Sequence, residues 1–131
     1  MNYLYVALFG ALGAASRYGI SISMSSETFP YNTLMINIIG CFLLAVTVRS
    51  LAALPMLSKN LVNGIGIGFI GSFTTFSAFG VEVSEMLIQG DLVLACIYAV
   101  SSVIGGFLSA GLGVYFGDCL IRRKERRENG N

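Results

Sequence analysis

Long stretches without any charged residue separate the few charges of this chain. Residues 28–48, 60–81 and 92–117 contain no Asp, Glu, Lys or Arg, and Arg17 is the only charge in residues 1–26. A helix needs about 20 consecutive, mostly apolar residues to cross a bilayer. The sequence therefore predicts an all-α membrane protein, a single domain over residues 1–131, with four transmembrane helices near 3–24, 31–49, 61–88 and 92–117.

Composition narrows the class of protein further. Hydrophobic residues make up 55% of the chain and charged residues 11%, whereas a soluble domain carries about 25% charge. Since four spans use nearly the whole chain, a catalytic domain in water does not fit, and we do not expect an enzyme. The absence of histidine and a net charge of +1 disfavour histidine-based or zinc catalysis and nucleic-acid binding. Cys41, Cys96 and Cys119 are interpreted as small buried hydrophobic residues.

The distribution of basic residues predicts an orientation. Four spans place both termini and the 50–60 loop on one side of the membrane. That side holds Arg49, Lys59 and the basic tail 122–131, while the loops on the other side contain no Lys or Arg. The positive-inside rule then predicts cytoplasmic termini. The tail supplies most of this bias. It could also be a water-exposed segment that ends the last span, or a contact for anionic lipids.

The third span contains an unusual run, from Gly71 to Gly80, with the sequence GSFTTFSAFG. Consecutive hydroxyl residues between glycines are poor helix formers. A helix break inside a membrane frees backbone carbonyls, which commonly hold a cation. The run therefore predicts either a break with an ion site or a regular helix whose Ser and Thr side chains bond to the preceding turn.

Several polar side chains lie at membrane depth and need partners. Asn37, one turn after Thr33 in the second span, could join helices or donate to a permeating anion. Arg17 could reach the interface or line the mouth of an anion path. Tyr98 and Ser102 share one helix face. Together with the hydroxyls of the third span, these groups form a polar lining with little formal charge.

Two phenylalanines accompany that lining. Phe76 and Phe79 are three residues apart, which places them on one helix face. A phenyl ring is negative on its face and positive at its edge. The pair is therefore compatible with an anion met edge-on, although two phenylalanines in a membrane span are more often packing residues.

Three motifs, in order and spacing, resemble the small bacterial fluoride channels, the Fluc or CrcB family. They are Gly10–Tyr18 in the first span, Thr33–Phe42 in the second and Gly68–Glu82 in the third, and the similarity covers essentially the whole chain. The resemblance implies a fluoride-selective channel for passive export of cytoplasmic fluoride, conferring fluoride resistance. It implies a multi-pass protein of the bacterial inner (plasma) membrane.

The resemblance also implies an assembly and a set of sites. Family members are antiparallel, dual-topology dimers with two fluoride pores and a central structural sodium ion. Main-chain carbonyls of Gly71 and Thr74 match the sodium ligands. The pore residues of the family match Asn37, Phe76, Phe79, Tyr98 and Ser102. A line of hydroxyl and acidic side chains along the pore matches Thr33, Ser77 and Glu82. The arginine at the entrance of the family's pore matches Arg17.

Other interpretations stay open from the sequence. A small multidrug-type, proton-coupled exporter has a similar length and four spans, but it needs a membrane-embedded acid that the first span lacks. A non-transporting scaffold would explain the glycines but not the clustered polar groups. The partner is expected to be a second copy, because one chain carries every pore motif. A heterodimer with a paralogue would instead account for the charge bias.

Overall fold

Helices make up every regular element in the part of the chain that the structure, a computed structural model, describes: residues 2–23, 29–51 and 57–129. Residue 24 and residues 130–131, the ends of the predicted first helix and of the basic tail, lie outside it. The α-helices are α1 (Asn2–Ser23), α2 (Tyr31–Val46), α3 (Lys59–Asn63), α4 (Gly71–Phe73), α5 (Ser77–Ile88) and α6 (Leu92–Asn129). Two π-helical segments, Thr47–Leu51 and Gly64–Ile70, continue α2 and join α3 to α4.

Three helical stretches are long and apolar enough to cross a membrane: Tyr31–Ser50, Lys59–Ile88 and Leu92–Arg126. Counting α1 as the first span, the stretch Lys59–Ile88 is the third span. The helix α1, at 22 residues, is long enough to cross but is not among the three by composition. The prediction of four transmembrane helices is thus supported by length and composition for three of them, and α1 is a fourth, less apolar helix.

The last helix is longer than the sequence predicted. It continues without interruption through the charged residues after 117 and ends at Asn129. Lys, Arg and Glu are good helix formers, so loss of hydrophobicity ends the membrane-spanning part without ending the helix. Most of the predicted basic tail is therefore a helical extension of α6.

Close packing of α2 on α6 depends on small residues. A Cβ at Gly113 would lie 2.6 Å from the carbonyl oxygen of Phe42, and one at Gly105 would lie 2.8 Å from Ile38 Cδ1. Between them, the Ser109 hydroxyl donates to the Ile38 carbonyl at 2.7 Å. Small residues let membrane helices approach closely enough for such bonds, and this contact fixes α6 beside α2.

Packing of α1 follows the same rule against the π-helical segment Gly64–Ile70. A Cβ at Gly13 would overlap the carbonyl of Phe69, and one at Gly68 would lie 2.7 Å from the carbonyl oxygen of Val6. This contact holds α1 against the residues that lead into the middle of the third span.

The cysteines do not match their predicted burial. All three are free thiols, but Cys96 and Cys119 are exposed on the chain surface and Cys41 is half-buried. In a membrane-spanning helix the apolar side chains that face lipid are exposed on the isolated chain, because lipid is as apolar as the interior. Cysteine, as a small hydrophobic residue, can occupy such a position.

Candidate functional site at the break in the third span

A break interrupts the third span between α4 and α5. The helix ends at Phe73, Thr74 is extended (φ −76°, ψ 157°), and α5 begins at Ser77. Of the two structures that the sequence allowed, the regular helix does not occur. The Thr74 hydroxyl bonds back to the Ile70 carbonyl at 3.0 Å, but the helix stops. The Thr75 hydroxyl accepts from the Ala78 N–H at 3.2 Å, so Thr75 caps the start of α5.

Asn37 of α2 is the partner of the broken backbone. Its Nδ2 donates to the Thr75 carbonyl at 2.9 Å, and its Oδ1 accepts from the Thr75 N–H at 2.9 Å. One side-chain amide thereby replaces both hydrogen bonds that a helix would supply to this residue. Backbone groups at membrane depth need such partners, so Asn37 stabilises the break and joins α2 to it.

Several carbonyls at the break lose their helical donors, those of Gly71 and Thr74 among them. In a continuous helix the Thr75 N–H would donate to Gly71 and the Ala78 N–H to Thr74. The first donates instead to Asn37 and the second to the Thr75 hydroxyl. Gly71 is exposed on the surface of the chain and Thr74 is half-buried. Backbone carbonyl oxygens are groups that commonly hold a cation at a break in a membrane helix, and within the described residues His, Cys, Asp and Glu form no group of three.

Arg17 contacts the break. Its Nε donates to the carbonyl of Ser72 at 3.2 Å, and the side chain is half-buried. The two predicted positions were the membrane interface and the mouth of an anion path. The structure places the guanidinium beside the last turn before the break, where it satisfies a carbonyl and adds a positive charge, and both positions stay predictions.

A second polar group surrounds Glu82, where α2, α5 and α6 meet. The Thr33 hydroxyl donates to Glu82 Oε1 and the Tyr98 hydroxyl donates to Glu82 Oε2, each at 2.6 Å. Thr33 is 4% exposed and Tyr98 is fully buried. Hydrogen bonds to a charged acceptor are stronger than neutral ones, so this carboxylate holds both hydroxyls in place.

Aromatic rings connect the two polar groups. The ring of Phe79 lies 5.8 Å from that of Phe76 and 5.1 Å from that of Tyr98, measured between centroids. Phe76 is 83% exposed on the single chain. The predicted pair of phenylalanines is therefore adjacent, with the Phe79 ring half-buried against Tyr98 and the Phe76 ring on the surface of the chain.

Two predicted hydroxyls lie apart from these hydrogen-bonded pairs. Ser102 Oγ is buried and has no hydrogen-bond partner within the described part of the chain. Ser77, in contrast, is exposed, and its hydroxyl lies 3.2 Å from that of Thr75. A buried hydroxyl without a partner still has a donor and an acceptor to offer.

The structure thus arranges the predicted residues in two groups. Arg17, Asn37, Gly71, Thr74 and Ser77 lie at the break, and Thr33, Glu82 and Tyr98 meet in the second group, with Phe76 and Phe79 alongside. Sequence reasoning missed the capping role of Thr75 and the use of the Ser72 carbonyl. The capping role of Thr75 could have been predicted, because Thr is a preferred N-cap residue. The use of the Ser72 carbonyl could not, because a backbone acceptor does not depend on the side chain.

These features define a class: a small, multi-pass helical membrane protein whose third span is broken and contacts a cluster of polar side chains. The family model described as "CrcB-like protein, Camphor Resistance (CrcB)" matches residues 4–114, and the chain belongs to this family.

Curated relatives are similar over almost their whole length. "Fluoride-specific ion channel FluC 2" of Listeria innocua is 49% identical over 94% of this chain and 95% of the relative. The protein of the same name from Listeria monocytogenes serovar 1/2a is 44% identical over 97% and 98%. "Fluoride-specific ion channel FluC 1" of Bacillus cereus is 42% identical over 92% and 86%. These matches support the resemblance predicted from the three motifs and give no support to an exporter.

Proposed function

We propose that this chain is a fluoride-selective channel that lets cytoplasmic fluoride leave passively and is not an enzyme. The observation that carries this conclusion is the family match over residues 4–114, with relatives named fluoride-specific ion channels at 42–49% identity. We place the channel in the bacterial plasma membrane. An inside-negative potential favours the exit of an anion by about 2.3 kcal/mol per charge per 100 mV.

The permeation path runs past the two polar groups and the phenylalanines. Fluoride is small and strongly hydrated, so a narrow path must supply donors that replace water. The candidates are the second Nδ2 hydrogen of Asn37 and the unpartnered Ser102 hydroxyl. Thr33 and Tyr98 can donate as well, but each has a single hydroxyl hydrogen, which is bonded to Glu82 and must turn from the carboxylate to fluoride. The positive edges of the Phe76 and Phe79 rings add favourable contacts without charge, and Arg17 raises the local positive potential.

A structural sodium ion at the break is part of the proposal. Gly71 and Thr74 fit it, because both carbonyls have lost their helical donors and carbonyl oxygen is a suitable ligand for a hard cation. Two carbonyls are too few for a cation, so a second copy would have to contribute its own pair. When bound, the ion would supply positive charge that holds the two breaks together.

The proposed assembly is an antiparallel homodimer. Gly71 and Phe76, on either side of the break, are both exposed on the single chain, as expected of residues that a partner covers. One chain carries all of the proposed pore residues, which favours a second copy over a paralogue. Proteins named FluC 1 and FluC 2 both occur among the relatives, so a paralogue is the alternative partner.

Fluoride efflux from liposomes tests the function. Purified protein is reconstituted into vesicles loaded with fluoride or with chloride, and efflux is followed with ion-selective electrodes. We expect rapid fluoride efflux, little chloride efflux and no need for a proton gradient. Absence of fluoride flux contradicts the proposal, and flux that requires a proton gradient favours an exporter.

The variant Phe76→Ile tests whether fluoride passes the phenylalanine pair. It should reduce fluoride efflux while the protein elutes from a sizing column as the native assembly does. Val81→Ile, at another exposed position of the third span, is the control and should leave efflux unchanged. Equal efflux from native protein and Phe76→Ile would mean that the path lies elsewhere.

A further inference from the structure

One face of the helical extension of α6 is arginine-rich. Arg122, Arg123 and Arg126 are exposed, and with Cys119 they line an open cleft of about 260 Å³. Their spacing from Cys119 is three, four and seven residues, which places all four on one side of a helix. We call this surface the arginine face.

The arginine face continues an apolar stripe. Leu108, Leu112 and Tyr115 precede Cys119 at intervals of four, three and four residues, and they are 61%, 63% and 71% exposed. The same side of α6 therefore changes from aliphatic, through a tyrosine, to arginine. Tyrosine is enriched where hydrocarbon meets the headgroups, so the order of side chains follows the order of layers in a lipid monolayer.

The length of α6 places the arginines at the level of the headgroups. From Leu92 to Arg122 the helix rises about 45 Å at about 1.5 Å per residue. A bilayer measures about 40–45 Å including its headgroups. With Leu92 at one surface, the arginine face reaches the headgroup layer of the opposite surface, while a helix confined to the hydrocarbon would have ended earlier.

Asp118, Glu125 and Glu128 are the acidic residues near these arginines along the helix. Asp118 forms an ion pair with Arg49 at the end of the second helix, and no ion pair links Arg122, Arg123 or Arg126 to an acidic side chain among the described residues. The guanidinium fork matches phosphate oxygens in bidentate fashion. The face therefore offers phosphate-matching donors directly beside an exposed apolar stripe.

We propose that the arginine face and the apolar stripe of α6 form a binding site for an anionic phospholipid, with phosphate on Arg122, Arg123 and Arg126 and an acyl chain along Leu108, Leu112 and Tyr115. The site is separate from the break and does not depend on fluoride conduction. The site requires a negatively charged headgroup joined to a hydrocarbon chain. A zwitterionic lipid of the same chain length supplies the hydrocarbon chain but no net negative charge.

Native mass spectrometry tests the site on the full chain in detergent. Phosphatidylglycerol and phosphatidylcholine with identical acyl chains are added in equal amounts, and the lipid retained by the protein is measured. Each basic residue near an anionic surface contributes about 1 kcal/mol. We therefore expect Arg126→Gln to reduce phosphatidylglycerol retention about fivefold and the triple change to Gln at 122, 123 and 126 to remove the preference.

The control is Lys59→Gln, which removes one exposed positive charge outside the arginine face and should leave retention unchanged. Equal retention of the two lipids by native protein overturns the proposal, and so does a triple variant that retains phosphatidylglycerol as the native chain does. An equal loss in Lys59→Gln and Arg126→Gln overturns it too, because the effect is then one of net charge. Circular dichroism checks folding, and Arg126→Gln decides the outcome if the triple variant misfolds.

Discussion

At the scale of single residues, Asn37 is the side chain on which the break depends most directly. Its amide makes both of the hydrogen bonds that hold Thr75. In Asn37→Ala the Thr75 N–H and carbonyl lose their partners, and a buried polar group without a partner costs about 1–3 kcal/mol. We expect a lower melting temperature in detergent and reduced fluoride efflux.

Asn63→Ala is the matched control for this prediction. Asn63 is exposed and makes no side-chain capping bond, so its removal should change neither the melting temperature nor efflux. If Asn37→Ala melts and conducts like the native protein, the double hydrogen bond does not hold the break.

Tyr98 supplies a second test at this scale. Tyr98→Phe keeps the ring that packs on Phe79 and removes only the hydroxyl that donates to Glu82. Loss of a hydrogen bond to a charged group costs about 1.5–3 kcal/mol, so we expect lower stability. Efflux should also fall, because the path loses a hydroxyl whose hydrogen can turn from Glu82 to fluoride. In a Glu82→Gln background, Tyr98→Phe should reduce the stability less, because the bond to the charged acceptor is already gone. An equal loss of stability in both backgrounds would show that Tyr98 and Glu82 are not coupled.

At the scale of elements, close approach of α1 to the π-helical segment Gly64–Ile70 positions the break. A Cβ at Gly13 would overlap the Phe69 carbonyl, whereas a Cβ at Gly19 of the same helix meets nothing within 4 Å. Gly13→Ala should therefore force α1 away and destabilise the protein by about 1–3 kcal/mol, and Gly19→Ala should be neutral or slightly stabilising. Thermal unfolding in detergent measures both, and equal stability of the two variants would rule out this contact as the reason for glycine at 13.

The elements also show how far the sequence could predict this protein. Charge-free runs predicted the helices, because hydrophobicity is a local property. The glycine and hydroxyl content of residues 71–80 marked the position of the break but left a regular helix as an equal alternative. The contact of Arg17 with the Ser72 carbonyl and the continuation of α6 to Asn129 were not predictable in this way. The first joins residues distant in sequence through a backbone acceptor, and in the second, helix propensity continues where hydrophobicity stops.

At the scale of the whole molecule, charge is divided between the two ends. Arg49, Asp118 and the arginine face lie at the end where α6 leaves the membrane, while the turn between α5 and α6 carries Asp91 and no basic residue. An antiparallel homodimer would place one basic end at each membrane surface. The positive-inside rule opposes this arrangement, so the orientation of the chain tests the proposed assembly more sharply than its molecular mass does.

A peptide tag on the C-terminus makes that orientation measurable. In inverted and in right-side-out vesicles, a protease outside the vesicle should remove the tag from comparable fractions of the protein, because an antiparallel homodimer has one C-terminus on each side. A tag on the N-terminus should give the same result, since an even number of spans places both termini together. Cleavage confined to inverted vesicles would instead mean a fixed orientation with cytoplasmic termini. In that case two copies of this chain could not pair in antiparallel fashion, and fluoride conduction would require a paralogue inserted in the opposite sense.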